Sequence, residues 1–239
     1  MLDVHPPHHP THTWRDFFIH IATITIGLLI AIGLEQTVEA FHHRQEREQL
    51  FEDLRHEAEG RINRIHENFK IFTVDLAWYE AILQAGRHVT PQRGVITFVV
   101  PPRADTPSRI RPADSVWPSA KASGIIAVLP NEQIEVWSRV DLIGQLTLDS
   151  GRVTDRGRAE LDAVADRLGI SLTPGSELHL PPTDRDELLR AVATLRASYS
   201  FFATSDANWA GASNAALHGI HRADQVEPYE AQAQLDMRR

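Results

Sequence analysis

The chain has 239 residues and a formal net charge of −8. That acidic balance excludes the basic surface a nucleic-acid binder needs, so no nucleic-acid partner is expected. Absence of cysteine excludes disulfides, thiolate catalysis and cysteine-ligated zinc or iron–sulfur centres, while a 42% hydrophobic content is too high for a disordered chain.

Residues 1–13 read MLDVHPPHHPTHT, a His- and Pro-rich tail with no helical pattern. His5, His8, His9 and His12 are weak candidates for a divalent metal, because imidazole is a general ligand. The prolines prevent a helical array, and Asp3 is the only carboxylate in the tail. No cofactor and no dedicated metal site are expected.

Phe17 to Leu34, FFIHIATITIGLLIAIGL, holds no Lys, Arg, Asp or Glu. Eighteen residues at 1.5 Å each give about 27 Å of helix, just enough to cross a hydrocarbon core. Residues 14–36 therefore read as a transmembrane helix, with Trp14, Phe17 and Phe18 suited to a headgroup boundary. A buried core helix would show a polar face, which this run lacks. A cleaved signal peptide competes, since Val38-Glu39-Ala40 resembles a small-residue cleavage site. Its apolar region would be unusually long, and Arg15 is the only Lys or Arg before it. Arg15 almost touches the span, whereas Arg44 and Arg47 lie farther out on the other side. That favours a cytoplasmic N-terminus and a periplasmic domain in a bacterial inner membrane.

His20, Thr23, Gly27, Ala31 and Glu35 follow spacings that place them on one helix stripe. Small residues at four-residue spacing let a second helix approach, and Thr can hydrogen-bond across it. His20 is an ionisable group in an apolar stretch, a candidate for a partner or proton role; it also lies near enough to Arg15 to reach the interface.

No proline occurs between Pro10 and Pro91, so the helix can run outward without a forced break. Residues 37–86 read as a polar stalk followed by a heptad-patterned helix. Ala58, Ile62, Ile65, Phe69, Phe72, Leu76, Tyr79 and Leu83 alternate spacings of four and three. This stripe suits either a coiled-coil seam between chains or the core face of an intrachain bundle. The aromatics at Phe69, Phe72 and Tyr79 favour the bundle.

Residues 87–112 are Pro- and Gly-rich and read as a loop, with Val95–Val100 as a strand or extended packing segment. Residues 113–222 then complete the helical domain. Asp114 or Ser115 caps a helix reaching about Val128. Pro130-Asn131 opens another that Gly144 ends, a third runs from Thr154 to Leu168 and stops at Gly169, and Pro181-Pro182-Thr183 starts a longer one to about Ser205. Ala207–Ala216 can continue it. Residues 223–239 look polar and frayed.

Glu39 with His42 and Asp53 with His56 have metal-ligand spacing, but both pairs lie on one polar helix, which reads as a solvated face. His56-Glu57 and His66-Glu67 lack the second histidine of a zincin motif. No nucleophile elbow, Walker loop or dinucleotide fingerprint occurs, so no catalytic residue is assigned.

The segments His12-Thr13-Trp14-Arg15-Asp16-Phe17-Phe18, Ile24–Ala31, Gly33–Glu39 and His42-His43-Arg44 resemble the opening of a family of uncharacterised bacterial single-pass membrane proteins. A second stretch, Ser115-Val116-Trp117 through Ala120, Ser123-Gly124 and Leu129-Pro130, is similar to a Trp-x-x-Ala-x-x-Thr-Gly-Ala pattern. Ser123 stands where Thr is usual and Ile125 where Ala is usual. The resemblance implies one membrane helix and a mainly helical soluble domain, and no activity.

The expected fold is mainly α: a transmembrane helix, a long stalk helix and a soluble helical bundle. The expected function is non-enzymatic: a membrane-anchored interaction or accessory subunit that contacts the lipid bilayer and a membrane-protein partner or a second copy of itself. The alternative is a membrane-tethered sensor or ligand-binding domain, which requires a polar-lined pocket inside the bundle.

Overall fold

The computed structural model describes residues 14–220 and 222–237. Among them, five α-helices carry most of the chain: α1 (Trp14–Arg87), α2 (Val116–Ser123), α3 (Asn131–Leu168), α4 (Pro182–Leu217) and α5 (Glu227–Met237). Two short strands, β1 (Ile96–Val99) and β2 (Glu177–Leu180), pair antiparallel. Two compact units meet in sequence between Gln49 and Leu50.

In the first unit, α1 is exposed along its length, with only Asp16 and Arg47 half-buried. It is long and apolar enough to cross a membrane. Trp14, Phe17 and Phe18 cluster at its start, with ring centroids 5.5–5.8 Å apart.

The second unit begins at Leu50 and has a core. Ala58, Ile65, Phe69, Phe72, Tyr79 and Leu83 of the heptad stripe are buried, and Ile62 and Leu76 are partly so. The stripe packs on α4 of the same chain: Phe72 meets Tyr199 and Phe202 edge-on at 5.3 and 5.4 Å, and Tyr79 meets Tyr199 at 5.9 Å. This is the intrachain arrangement that the bulky aromatics favour.

Helix α3 differs from the reading in which Gly144 ends a helix. It runs unbroken to Leu168, and Gly144 is one of its buried interior residues. A Cβ on Gly144 would lie 2.9 Å from the Trp209 ring, and one on Gly151 would lie 3.3 Å from that of Phe202. These glycines are notches that receive the aromatics of α4, and that packing offsets the cost of about 1 kcal/mol for Gly inside a helix. Gly169 does terminate α3, in the left-handed conformation with φ 64°.

Helix α2 is shorter than expected. It ends at Ser123, Gly124 adopts φ 79°, and Ile125–Val128 form a 3₁₀ turn. The small-residue stretch continues α4 to Leu217, as its composition allows. Residues 227–237, expected to fray, form α5 instead. Its backbone is seated on Gly211, where a Cβ would come within 2.5 Å of the Glu230 Cα. The missed strand is β2: Leu178 and Leu180 point inward with Ile96 and Phe98, while Thr97 and His179 bond outside at 3.0 Å.

Candidate functional site

Beside the apolar stripe of α1 runs a second, polar one. Arg61, Asn68 and Asp75 repeat every seven residues and are all about 98–99% buried. Their partners come from the Pro-rich connection after β1, which runs back along α1 as an extended strap. Trp78 Nε1 donates to the Pro101 carbonyl at 3.0 Å. Arg103 donates through two nitrogens to Asp75 Oδ1, and the Tyr199 hydroxyl donates to Asp75 Oδ2 at 2.5 Å. Asn68 exchanges two bonds with the Ile110 backbone, at 2.9 and 3.1 Å. Arg61 reaches the Ala113 carbonyl, Glu57, Asp114 and the Ser213 hydroxyl, and its guanidinium lies 4.7 Å from the Trp209 ring centre. Glu57 Oε2 accepts from Ser115 N, Ser115 Oγ and Val116 N, so α1 supplies the cap of α2. Neither Ser115 nor Asp114 fills that role through its own side chain.

Strands would not suit this segment, because its prolines cannot donate to a ladder. Buried backbone groups still need partners, and the polar stripe of α1 supplies them. Burial raises the Asp114 carboxyl above its usual range, with the Arg61 charge pulling it back. Burial also raises the Tyr79 and Tyr199 phenols, the latter aided by its bond to Asp75.

Asp206 of α4 borders this network at Asn68; it is 1% exposed, and neither carboxylate oxygen meets a well-aligned hydrogen-bond donor. Burial pushes its carboxyl up to about 7, against the opposing pull of Arg109 and Asn68. It lines a cavity of about 170 Å³ with Thr147, Gly151, Phe202 and Trp209, and the strap closes the opening with Arg109, Arg111 and Pro112. Arg152 and Asp155 of α3 complete the rim. Arg109 stacks over the Phe202 ring at 4.2 Å. No His, Cys or Lys lines the cavity, so no nucleophile–base pair is assembled there. The arrangement can bind: a buried acidic floor under a basic rim.

The residues singled out in the apolar span lie elsewhere. His20, Thr23, Gly27, Ala31 and Glu35 are all exposed on α1. Thr23 donates to the Ile19 carbonyl at 2.8 Å within its own helix, and a Cβ on Gly27 would meet nothing within 4 Å. The stripe is exposed among the described residues, which leaves it open to a second helix. His5, His8, His9 and His12 lie outside the described residues. Among the described residues no group of three His, Cys, Asp or Glu could hold a metal. Glu39, His42, Asp53 and His56 are exposed, and His43 lies near Glu39 and Glu46 at 3.6 and 3.4 Å.

Two signals in the sequence mark what motif reading missed. Polar residues at strict seven-residue spacing beside a heptad stripe announce a buried ladder. Asp206 is the single charged residue between Arg196 and Arg222, alone in a stretch of small and aromatic residues. Comparison with protein-family models, with curated proteins and with solved structures finds no match.

Proposed function

We propose that this chain is a membrane-anchored, non-enzymatic interaction or accessory protein of a bacterial inner membrane, held by a single span within Trp14–Gln36. The observation that carries this reading is a run of eighteen residues without a charged side chain, all exposed on α1. Exposed Ile, Leu and Phe over that length would be costly in water, at about 25 cal/mol per Å² of apolar surface, and are at home in lipid. The resemblance of the His12–Arg44 region to single-pass membrane proteins supports the same placement. Arg15 beside the span favours a periplasmic domain.

Crosslinking in native membranes followed by affinity purification tests the interaction. A stoichiometric membrane-protein partner or a self-crosslinked dimer is expected; recovery of the monomer alone contradicts it. An alkaline phosphatase fusion after Arg239 tests orientation, since the enzyme is active only outside the cytoplasm.

A second reading, a tethered sensor or ligand-binding domain, is favoured by one specific observation. The Asp206 cavity is the polar-lined pocket that such a domain requires.

A further inference from the structure

The cavity over Asp206 is not explained by its role in packing. Asp206 is buried and neither oxygen meets a well-aligned donor; the Asn68 amide and the Arg109 charge lie near enough to favour its ionised form without offsetting its burial. Every other buried acid or base of the polar stripe has found partners from the strap or from α4. A buried carboxyl without a donor normally costs free energy, which a replacement by an apolar side chain would avoid. The group therefore sits where a ligand can complete it.

The two ends of the cavity differ in charge. Its floor carries Asp206 on α4; its rim carries Arg109 and Arg111 from the strap and Arg152 from α3. Arg152 is already paired with Asp149 at 2.7 Å, and Asp155 lies beside it on the rim. Arg109 stacks on Phe202, and its charge acts on Asp206 across the cavity; Arg111 is exposed beside it on the strap. An occupant needs a cation or strong donor for the floor and an anion for the rim. The volume, about 170 Å³, falls below the roughly 300–1,000 Å³ of sites for drug-sized ligands, so the occupant has few heavy atoms.

We propose that this cavity binds a small aminocarboxylic acid, its ammonium on the Asp206 carboxylate and its carboxylate on the Arg109 and Arg111 guanidiniums. The inference rests on the ligand-binding reading and names the class of ligand. Ammonium binding favours the ionised form of Asp206, so at neutral pH it displaces the proton that burial retains there. Each guanidinium presents planar paired donors, which suit a carboxylate better than an ammonium group would.

The test is isothermal titration of the full chain in nanodiscs with glycine, β-alanine and γ-aminobutyrate, each a probe of different length. Ethylamine and acetate serve as half-ligands. At least one amino acid is expected to give saturable binding, with proton release visible as a dependence on buffer ionisation heat. Asp206→Asn is expected to weaken it about 10- to 100-fold, as for loss of a hydrogen bond to a charged group. Arg109→Gln tests the other end and is expected to weaken binding also; because Arg109 also acts on Asp206 and stacks on Phe202, Arg111→Gln, at an exposed position, serves as the second variant. Ethylamine binding that Asp206→Asn abolishes, with no gain from an added carboxylate, overturns the zwitterion assignment but keeps a ligand site. Absence of saturable binding by any probe overturns the aminocarboxylic-acid assignment and leaves the sensor reading to ligands of other chemistry.

Discussion

The two parts of α1 belong to one helix and follow opposite rules. From Trp14 to Gln49 its side chains are exposed, apart from the half-buried Asp16 and Arg47. From Leu50 to Arg87 the helix carries an apolar stripe and a polar stripe, each answered by another part of the same chain. The contrast teaches where each stretch finds its solvent. A charge-free surface needs an apolar medium, whereas buried Arg61, Asn68 and Asp75 need specific partners. A helix can satisfy all its backbone bonds internally in either setting.

Breaking the polar stripe gives the largest expected effect. Arg61→Ala removes the cation shared by Glu57, Asp114 and Ser213 and leaves two carboxylates at low exposure. A loss of about 3–5 kcal/mol is expected, as for removing one partner of a buried ion pair. Chemical denaturation of the full chain in detergent measures it. A loss below about 1 kcal/mol would mean that the strap is held by its backbone alone.

The next effect depends on pH. The Asp206 carboxyl is raised to about 7, so between pH 4 and 7 the folded state holds a proton that the unfolded chain has released. Its contribution to stability is therefore complete at low pH and is lost as pH rises to about 7. A shift of about 3 pK units corresponds to on the order of 4 kcal/mol over that range. Asp206→Asn should match the wild type near pH 4 and exceed it at pH 8. Parallel stability–pH curves for the two proteins would contradict this.

Gly211→Ala should cost about 1–3 kcal/mol, because the added methyl meets the backbone of Glu230 rather than a mobile side chain. Unfolding midpoints check it, and selective proteolysis near α5 would locate the damage. Gly27→Leu has the smallest expected effect on unfolding, within about 0.5 kcal/mol, since among the described residues nothing lies within 4 Å of a Cβ at that position. If the stripe packs on a second helix, the same substitution changes the assembly size in detergent. An unchanged assembly removes the stripe as a packing face.

How much of this was legible in the sequence differs between the two parts as well. The absence of charge from Phe17 to Leu34 and the heptad spacing from Ala58 to Leu83 are periodic signals, and both read correctly as helix. Gly144 was misread because glycine ends helices when it takes positive φ, yet here its missing Cβ admits Trp209, a tertiary reason no local window contains. The loop reading of residues 87–112 agrees with the irregular course of the strap, but its anchoring on α1 and the strand β2 are not legible locally for the same cause. Pro101–Ser115 gains its order from side chains some 25–60 residues earlier, and β2 is defined by its pairing with β1. The Asp206 cavity needs α3, α4 and the strap together, and only the isolation of that single charge hinted at it.

The lack of native cysteine allows the contrast within α1 to be measured directly. Leu28→Cys and Arg55→Cys each introduce one thiol at an exposed helix position. In native membranes opened on both sides, a charged maleimide is expected to label Arg55→Cys rapidly and to leave Leu28→Cys unmodified until detergent is added. Equal labelling of both before detergent would place the first part of α1 in water and contradict the membrane anchor.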